Sequence, residues 1–158
     1  MRVTAERFRH VLGHLPTGVT VITAQAGDGP TGMTANSVTS VSLDPPLILV
    51  CPAKSSSTWP RIRAAGRFCV NVMAGHHEDT IRRFAQRDVD RFAGVACSAR
   101  SSGPGLDEAV AWMDCELRDE HEAGDHTIAV AEVVAIDAAV GATPLVFFRG
   151  RYGPLLDG

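Results

Sequence analysis

Residues 111–139 read AWMDCELRDEHEAGDHTIAVAEVVAIDAA, and this stretch decides the fold class. AWMDCELRDEHEA and HTIAVAEVVAIDAA read as strands, and EAGD between them carries the Gly and Asp of a turn. A second turn signal, VGATP, precedes another strand run, LVFFRGRY, at 145–152. Short strands joined by regular turns point to an all-β barrel or sandwich carrying a few helices.

Upstream, RFCVNVM at 67–73 and LILVCP at 47–52 are further strand candidates. The continuous apolar character of LILVCP predicts a strand buried on both faces. TGVTVITAQ (17–25), the turn AGDGPTG (26–32) and MTANSVTSVS (33–42) read as a hairpin. Helices are predicted from Thr4 to Leu15, through Phe8, Val11, Leu12 and Leu15, and from His77 to Arg87, through Ile81, Phe84 and Ala85. A short third helix is expected within KSSSTWPRIRAAG (54–66), stopped by Gly66. DRFAGVACSARSSGPGL (90–106) reads as a long, mostly polar connection, a length that points to function or mobility.

A chain of 158 residues with 45% hydrophobic and 21% charged residues suits one globular domain over 1–158. The net charge of −3 supplies no basic stripe for a nucleic acid. No run is apolar enough for a signal peptide or a membrane span, so a cytoplasmic location is expected. Cys51, Cys69, Cys97 and Cys115 are too scattered for a zinc knuckle or a redox dithiol and are expected to be buried, inert thiols. No histidine spacing supports a metal, and adjacent His76 and His77 are expected to point apart.

Three places carry candidate chemistry. In GMTANSVTSVSLDPP, Thr34, Asn36, Ser37, Thr39, Ser40 and Ser42 crowd small polar groups onto one strand and its exit. Such side chains let a planar ligand reach the backbone N–H and C=O groups, although a solvent-facing edge strand has the same composition. Ser55, Ser56, Ser57 and Thr58, ahead of a helix and beside Lys54, suit a phosphate, or simple N-capping by Thr58 or Ser57. His126, in the turn Gly124-Asp125-His126-Thr127, is either a polar contact to a nicotinamide or an exposed turn histidine. There is no nucleophile elbow, Rossmann glycine turn or Walker loop.

Taken in order, TGVTVITA, GMTANSVTSVSLDPPLILVC, KSSSTW, GRFCVNV, RRFA, DRFAGV, GDHTIAVAEVVA and LVFFRGRYG resemble the flavin reductase family with the FMN-binding split β-barrel fold, the reductase components of two-component flavin-dependent monooxygenases. The resemblance runs from about Phe8 to Gly153. It implies a mainly β split barrel with peripheral helices, and an NAD(P)H:flavin oxidoreductase passing hydride from nicotinamide C4 to flavin N5. FMN or FAD, and NADH or NADPH, are the implied cofactors, with a homodimer and a separate monooxygenase as partners. By position, Met33, Thr34, Ala35, Asn36 and Ser37 would line the ring and ribityl chain, Val50 and Cys51 would flank the ring, and Lys54 through Thr58 would hold the phosphate. Phe84 and Ala85 would pack near the flavin, while His126 and Tyr152 would face the nicotinamide. The alternatives are a flavin-binding or carrier module without reductase activity, and a haem- or pyridoxamine-phosphate-binding relative on the same barrel. For a 2′-phosphate on the nicotinamide nucleotide, Arg82, Arg83, Arg87, Arg91, Arg149 and Arg151 are all candidates.

Overall fold

The computed structural model describes residues 2–155. Strands β1 (Thr17–Gly18), β2 (Thr20–Ala26), β3 (Gly29–Ala35), β4 (Thr39–Leu43) and β5 (Pro46–Val50) follow helix α1 (Ala5–Leu12). Helix α2 (Trp59–Ala65), β6 (Arg67–Val72) and α3 (Glu78–Ala85) come next. The hairpin β7 (Cys97–Arg100) and β8 (Gly103–Leu106) precedes the long pair β9 (Ala111–Ala123) and β10 (His126–Ala138), and the hairpin β11 (Leu145–Phe148) and β12 (Arg151–Pro154) follows.

A seven-stranded sheet in the order β3-β2-β6-β9-β10-β5-β4 forms the body. Met33 from one edge strand, Ile48 beside the other edge, and Ile22, Val70 and Ala129 between them all meet in one core with Trp59 and Ile62 of α2. Side chains from opposite ends of a sheet share one core only if the sheet curls around it. The curl does not close, because β3 and β4 pair on one side only. The split barrel expected from the resemblance is the observed architecture.

A second core lies on the outer face of the sheet. Val19 and Val21 pack there against Ile81 and Phe84 of α3, Leu106 of β8 and Leu145 of β11. Strand β2 is therefore buried on both faces, with Ile22 and Ala24 inward and Val21 outward. The sequence assigned double burial to β5 instead; in β5 only Ile48 and Val50, on the inner face, are buried, while Leu47 and Leu49 on the outer face are half-buried. Between the layers, fully buried Asn71 donates to Val21 O (3.0 Å) and Thr23 Oγ1 (3.1 Å) and accepts from Leu106 N (2.8 Å). A buried amide with its bonds made fixes the β7–β8 hairpin onto β2 and β6.

Three further differences from the expected elements have local causes. Residues 33–42 are not one strand: β3 ends at Ala35 and β4 starts at Thr39, so the hydroxyl-rich block spans both sheet edges. The connection 90–106 contains the β7–β8 hairpin, which Gly103 makes feasible by lying so close to β2 that a Cβ would sit 2.7 Å from Ala24 Cα. LVFFRGRY is a hairpin rather than a strand, turned by Arg149 and Gly150, both at positive φ (49° and 76°), the signature of a type I′ turn.

Candidate functional site

The free edge of β3 is where the candidate residues gather. Gly32 lacks a side chain, and Phe84 of α3 occupies the space, its Cε1 2.8 Å from where a Cβ would stand. Thr34 donates its hydroxyl to Ile81 O (2.9 Å), tying β3 to α3. Across the split, the Ser37 hydroxyl accepts from Cys51 N (2.9 Å), joining the exit of β3 to the end of β5. These two hydroxyls tie β3 to α3 and the exit of β3 to the end of β5, and the unpaired side of β3 borders a crevice. Asn36 Oδ1 is buried there with no hydrogen-bond partner.

Met33, Thr34, Ser56, Ser57, Thr58, Phe84, Ala85, Arg87 and Arg91 line a crevice of about 240 Å³. Ser56 caps α2, its Oγ accepting from Thr58 N (3.2 Å) and Trp59 N (3.1 Å), whereas Thr58 makes no side-chain cap bond. Thr58 Oγ1 instead accepts from Arg91 Nη1 (2.9 Å). The same nitrogen donates to Gly32 O (2.7 Å), and Arg91 Nε donates to Gln86 O (2.8 Å). Arg91 is thus fixed by β3, α2 and the end of α3 together. Burial, and then the neighbouring charges of Arg61 and Arg87, push its pKa below the ordinary guanidinium value. Like charges drawn together and partly desolvated are the setting in which an anion binds best.

Among the described residues, neither Arg87 nor Arg91 forms an ion pair, and no carboxylate lines the crevice. Lys54, the cation expected to serve the phosphate, pairs with Glu122 of β9 and lies outside this lining. The cationic residues of the lining are Arg87 and Arg91. The residues therefore fit a phosphorylated planar ligand: hydroxyl and guanidinium donors at one end, a free backbone edge and small side chains along the other.

The chain matches the flavin reductase like domain family over residues 12–156. It belongs to the flavin reductase-like family. It is similar to a flavin reductase from Pseudomonas putida, 44% identical over 148 residues that cover 92% of this chain and 87% of the relative. It is also similar to HsaB of Rhodococcus jostii, the reductase subunit of a flavin-dependent monooxygenase, at 41% identity over 95% of this chain and 77% of the relative. Among solved structures, the NADH:FAD oxidoreductase SgcE6 of Streptomyces globisporus superposes with a TM-score of 0.91 at 37% identity, covering 99% of this chain and 98% of that one.

Other predicted site residues of this flavin reductase-like chain lie outside the crevice lining. Val50 is 1% exposed and faces the inner core. Cys51 is half-buried beside Ser37, and burial raises its thiol pKa. Ser55 is exposed and lies outside the crevice lining. His126 pairs in a single bridge with Ala53, and Lys54 N donates to Asp125 O (2.9 Å), so the histidine turn is attached to the strand leading into the serine loop. Its half-exposed ring holds Asp125 Oδ1 at 2.8 Å from Nδ1, a contact that keeps the Asp125 carboxyl below its usual range. Tyr152 lies on β12, packed on Phe147 (5.0 Å between centroids) with the Arg82 guanidinium over its ring at 5.4 Å, in the outer layer.

His76 and His77, expected to diverge, stand with ring centroids 4.2 Å apart, and with Glu108 they form a cluster of metal-ligand type. His77 Nδ1 accepts from Ala74 N (3.0 Å), so the neutral ring carries its proton on Nε2, the nitrogen facing Glu108. A nitrogen that carries a proton is a donor and not a metal ligand.

Proposed function

We propose that this protein binds flavin at the free edge of β3, with the phosphate on Arg87, Arg91, Ser57 and Thr58. The enzyme is an NAD(P)H-dependent flavin reductase that supplies reduced flavin to a separate monooxygenase. The observation carrying the placement is the convergence of two guanidinium groups without carboxylate partners on a crevice at an unpaired strand edge. Flavin, when bound, supplies the hydride-accepting chemistry, so the protein needs no acid–base pair of its own. Its residues position: Met33 through Ser37 offer backbone to the ring, Ser37 and Cys51 hold the split at a fixed width, and Phe84 supports β3 from behind. His126 is the proposed contact for the nicotinamide, because its turn is attached to the strand entering the serine loop.

The finer assembly is also a proposal. We place the protein as one domain in the cytoplasm, where NAD(P)H is available and free cysteines stay reduced. A homodimer is supported by apolar side chains left in solvent on α1 and after it, Phe8 (57% exposed) and Leu15 (61%), and on β10, Val134 (47%) and Ile136 (65%). Among the described residues, no helix is long and apolar enough to cross a membrane.

Purified protein, tested with FMN and FAD against NADH and NADPH, is expected to oxidise the nicotinamide only when flavin is present. Flavin binding without turnover would move the protein to the carrier reading, and no binding of either flavin would remove the site.

A further inference from the structure

A cavity of about 580 Å³ opens where the end of α1 meets the β11–β12 turn. Arg9, His10 and His14 line it on the α1 side, and Arg149 and Gly150 on the side of the turn. The two segments are joined by Arg149 N, which donates to O of Gly13, the C-cap of α1 (2.9 Å). This cavity shares no lining residue with the flavin crevice.

Every titratable side chain in the lining is basic. Among the described residues, neither Arg9 nor Arg149 forms an ion pair. His14 Nδ1 donates to His10 O (2.9 Å), which leaves Nε2 as the ring nitrogen open to a ligand. A helix C-terminus attracts basic side chains of its own last turn, and that accounts for Arg9 and His10. It does not account for Arg149, brought from a distant hairpin to the same place in a protein of net charge −3. Two guanidinium groups and two imidazoles with no carboxylate among them suit a compact, multiply charged anion. A phosphomonoester, at about −1.5 to −2 near pH 7, is such a group.

The position of the cavity points to the molecule that carries this phosphate. The His126 contact, and with it the charge of Arg9, hold the Asp125 carboxyl below its usual range, so Arg9 lies within electrostatic reach of the histidine turn. Of the arginines that the sequence offers for a 2′-phosphate, Arg82 pairs with Glu78 (2.6 Å), Arg83 donates to Ala93 O, and Arg87 and Arg91 line the flavin crevice. Arg149 and Arg151 are left, and of the two only Arg149 lines the basic cavity.

We propose that Arg9, His10, His14 and Arg149 bind the 2′-phosphate of NADPH and so make the enzyme select NADPH over NADH. The inference rests on the nicotinamide contact at His126 given in the preceding subsection. FMN also carries a phosphomonoester, and both nicotinamide dinucleotides carry a pyrophosphate; the experiment separates these sources.

Steady-state kinetics of the purified protein at saturating FMN are expected to give a kcat/KM at least about 10-fold higher for NADPH than for NADH. Arg9→Ala, a strong helix former within α1, and Arg149→Asn, which tolerates the positive φ there, are each expected to lower kcat/KM for NADPH about 10-fold through KM, and that for NADH less than about 2-fold. With the wild type, 2′-AMP is expected to compete with NADPH about 10-fold more strongly than 5′-AMP does. A wild-type enzyme that prefers NADH, or neither dinucleotide, would overturn the phosphate site and leave the reductase reading standing. Unchanged turnover of both dinucleotides in His126→Ala would overturn the nicotinamide contact and the inference with it. An equal loss for NADH and NADPH in both variants would assign the cavity to the pyrophosphate, and a raised KM for FMN would assign it to the flavin phosphate; either result overturns the selection of NADPH.

Discussion

Strands β3 and β4 are the two edges of one sheet, they are consecutive in the chain, and both carry hydroxyl residues, Thr31 and Thr34 on β3 and Thr39, Ser40 and Ser42 on β4. Only β3 carries a crevice. Its outer side is met by Phe84 from α3, by Arg91 reaching Gly32 O, and by the serine loop before α2. Strand β4 has no such company: Thr39, Ser40 and Val41 are exposed, and Leu43 is 92% exposed. Composition alone does not make a strand edge into a binding surface; the layer packed beside it does.

The contrast is open to direct attack. Arg91→Ala removes the group that joins β3, α2 and α3 and carries half the positive charge of the crevice, so FMN affinity is expected to fall about 100-fold in a fluorescence titration. A loss under about 3-fold would mean that β3 is no more a site than β4.

Gly32→Ala tests the packing side of the same contrast. The new methyl group meets Phe84 Cε1 at 2.8 Å and Ile22 O at 3.1 Å, so the ring or the strand must shift. Chemical denaturation is expected to show a loss of about 1–3 kcal/mol, with weaker flavin binding alongside.

Acid should act on the β3 side through α3. His77 stands at the N-terminal cap of that helix, and burial first, then the charge of His76, lowers its pKa below 6.5, with Glu108 opposing. The unfolded chain therefore binds a proton that the folded chain refuses, and stability falls as pH drops through about 6.5 toward the depressed folded value. Above that window the contribution is complete. Melting temperatures across this range are expected to decline on acidification, and His77→Asn, which keeps a cap acceptor for Ala74 N, is expected to flatten the decline.

The smallest effects belong to β4. Thr39→Ala and Ser40→Ala are expected to change flavin affinity less than about 2-fold and stability by no more than about 0.5 kcal/mol, by the same titration and denaturation. A large effect at either residue would put the ligand on the wrong edge.

Much of this was legible in the sequence. The turn signals located the β2–β3 and β9–β10 hairpins, and TANS together with the serine run marked the chain segments that border the crevice. What could not be read depends on contacts between distant segments. Lys54 beside the serines reads as a phosphate ligand; the β9–β10 hairpin brings Glu122 against it, a pairing between distant segments that the sequence does not show. Arg91 lies in what reads as a polar connection, and only the folding back of that segment onto Gln86 O turns it into the crevice. Cys97, expected to be a buried thiol like the other cysteines, is exposed, because its segment forms the β7–β8 hairpin. Cys69 and Cys115 do lie in the core, where burial pushes each thiol up to about 12.

An incompletely closed barrel has a liability that a closed one lacks, since any extended chain can add itself to an unsatisfied border. In β4 the pairing with β5 slips between Ser40 and Ser42, a bulge that interrupts the even ladder such an addition would need. With the cofactor proposed at the β3 border, that irregular step in β4 is the feature that disfavours addition of a further strand at the other border.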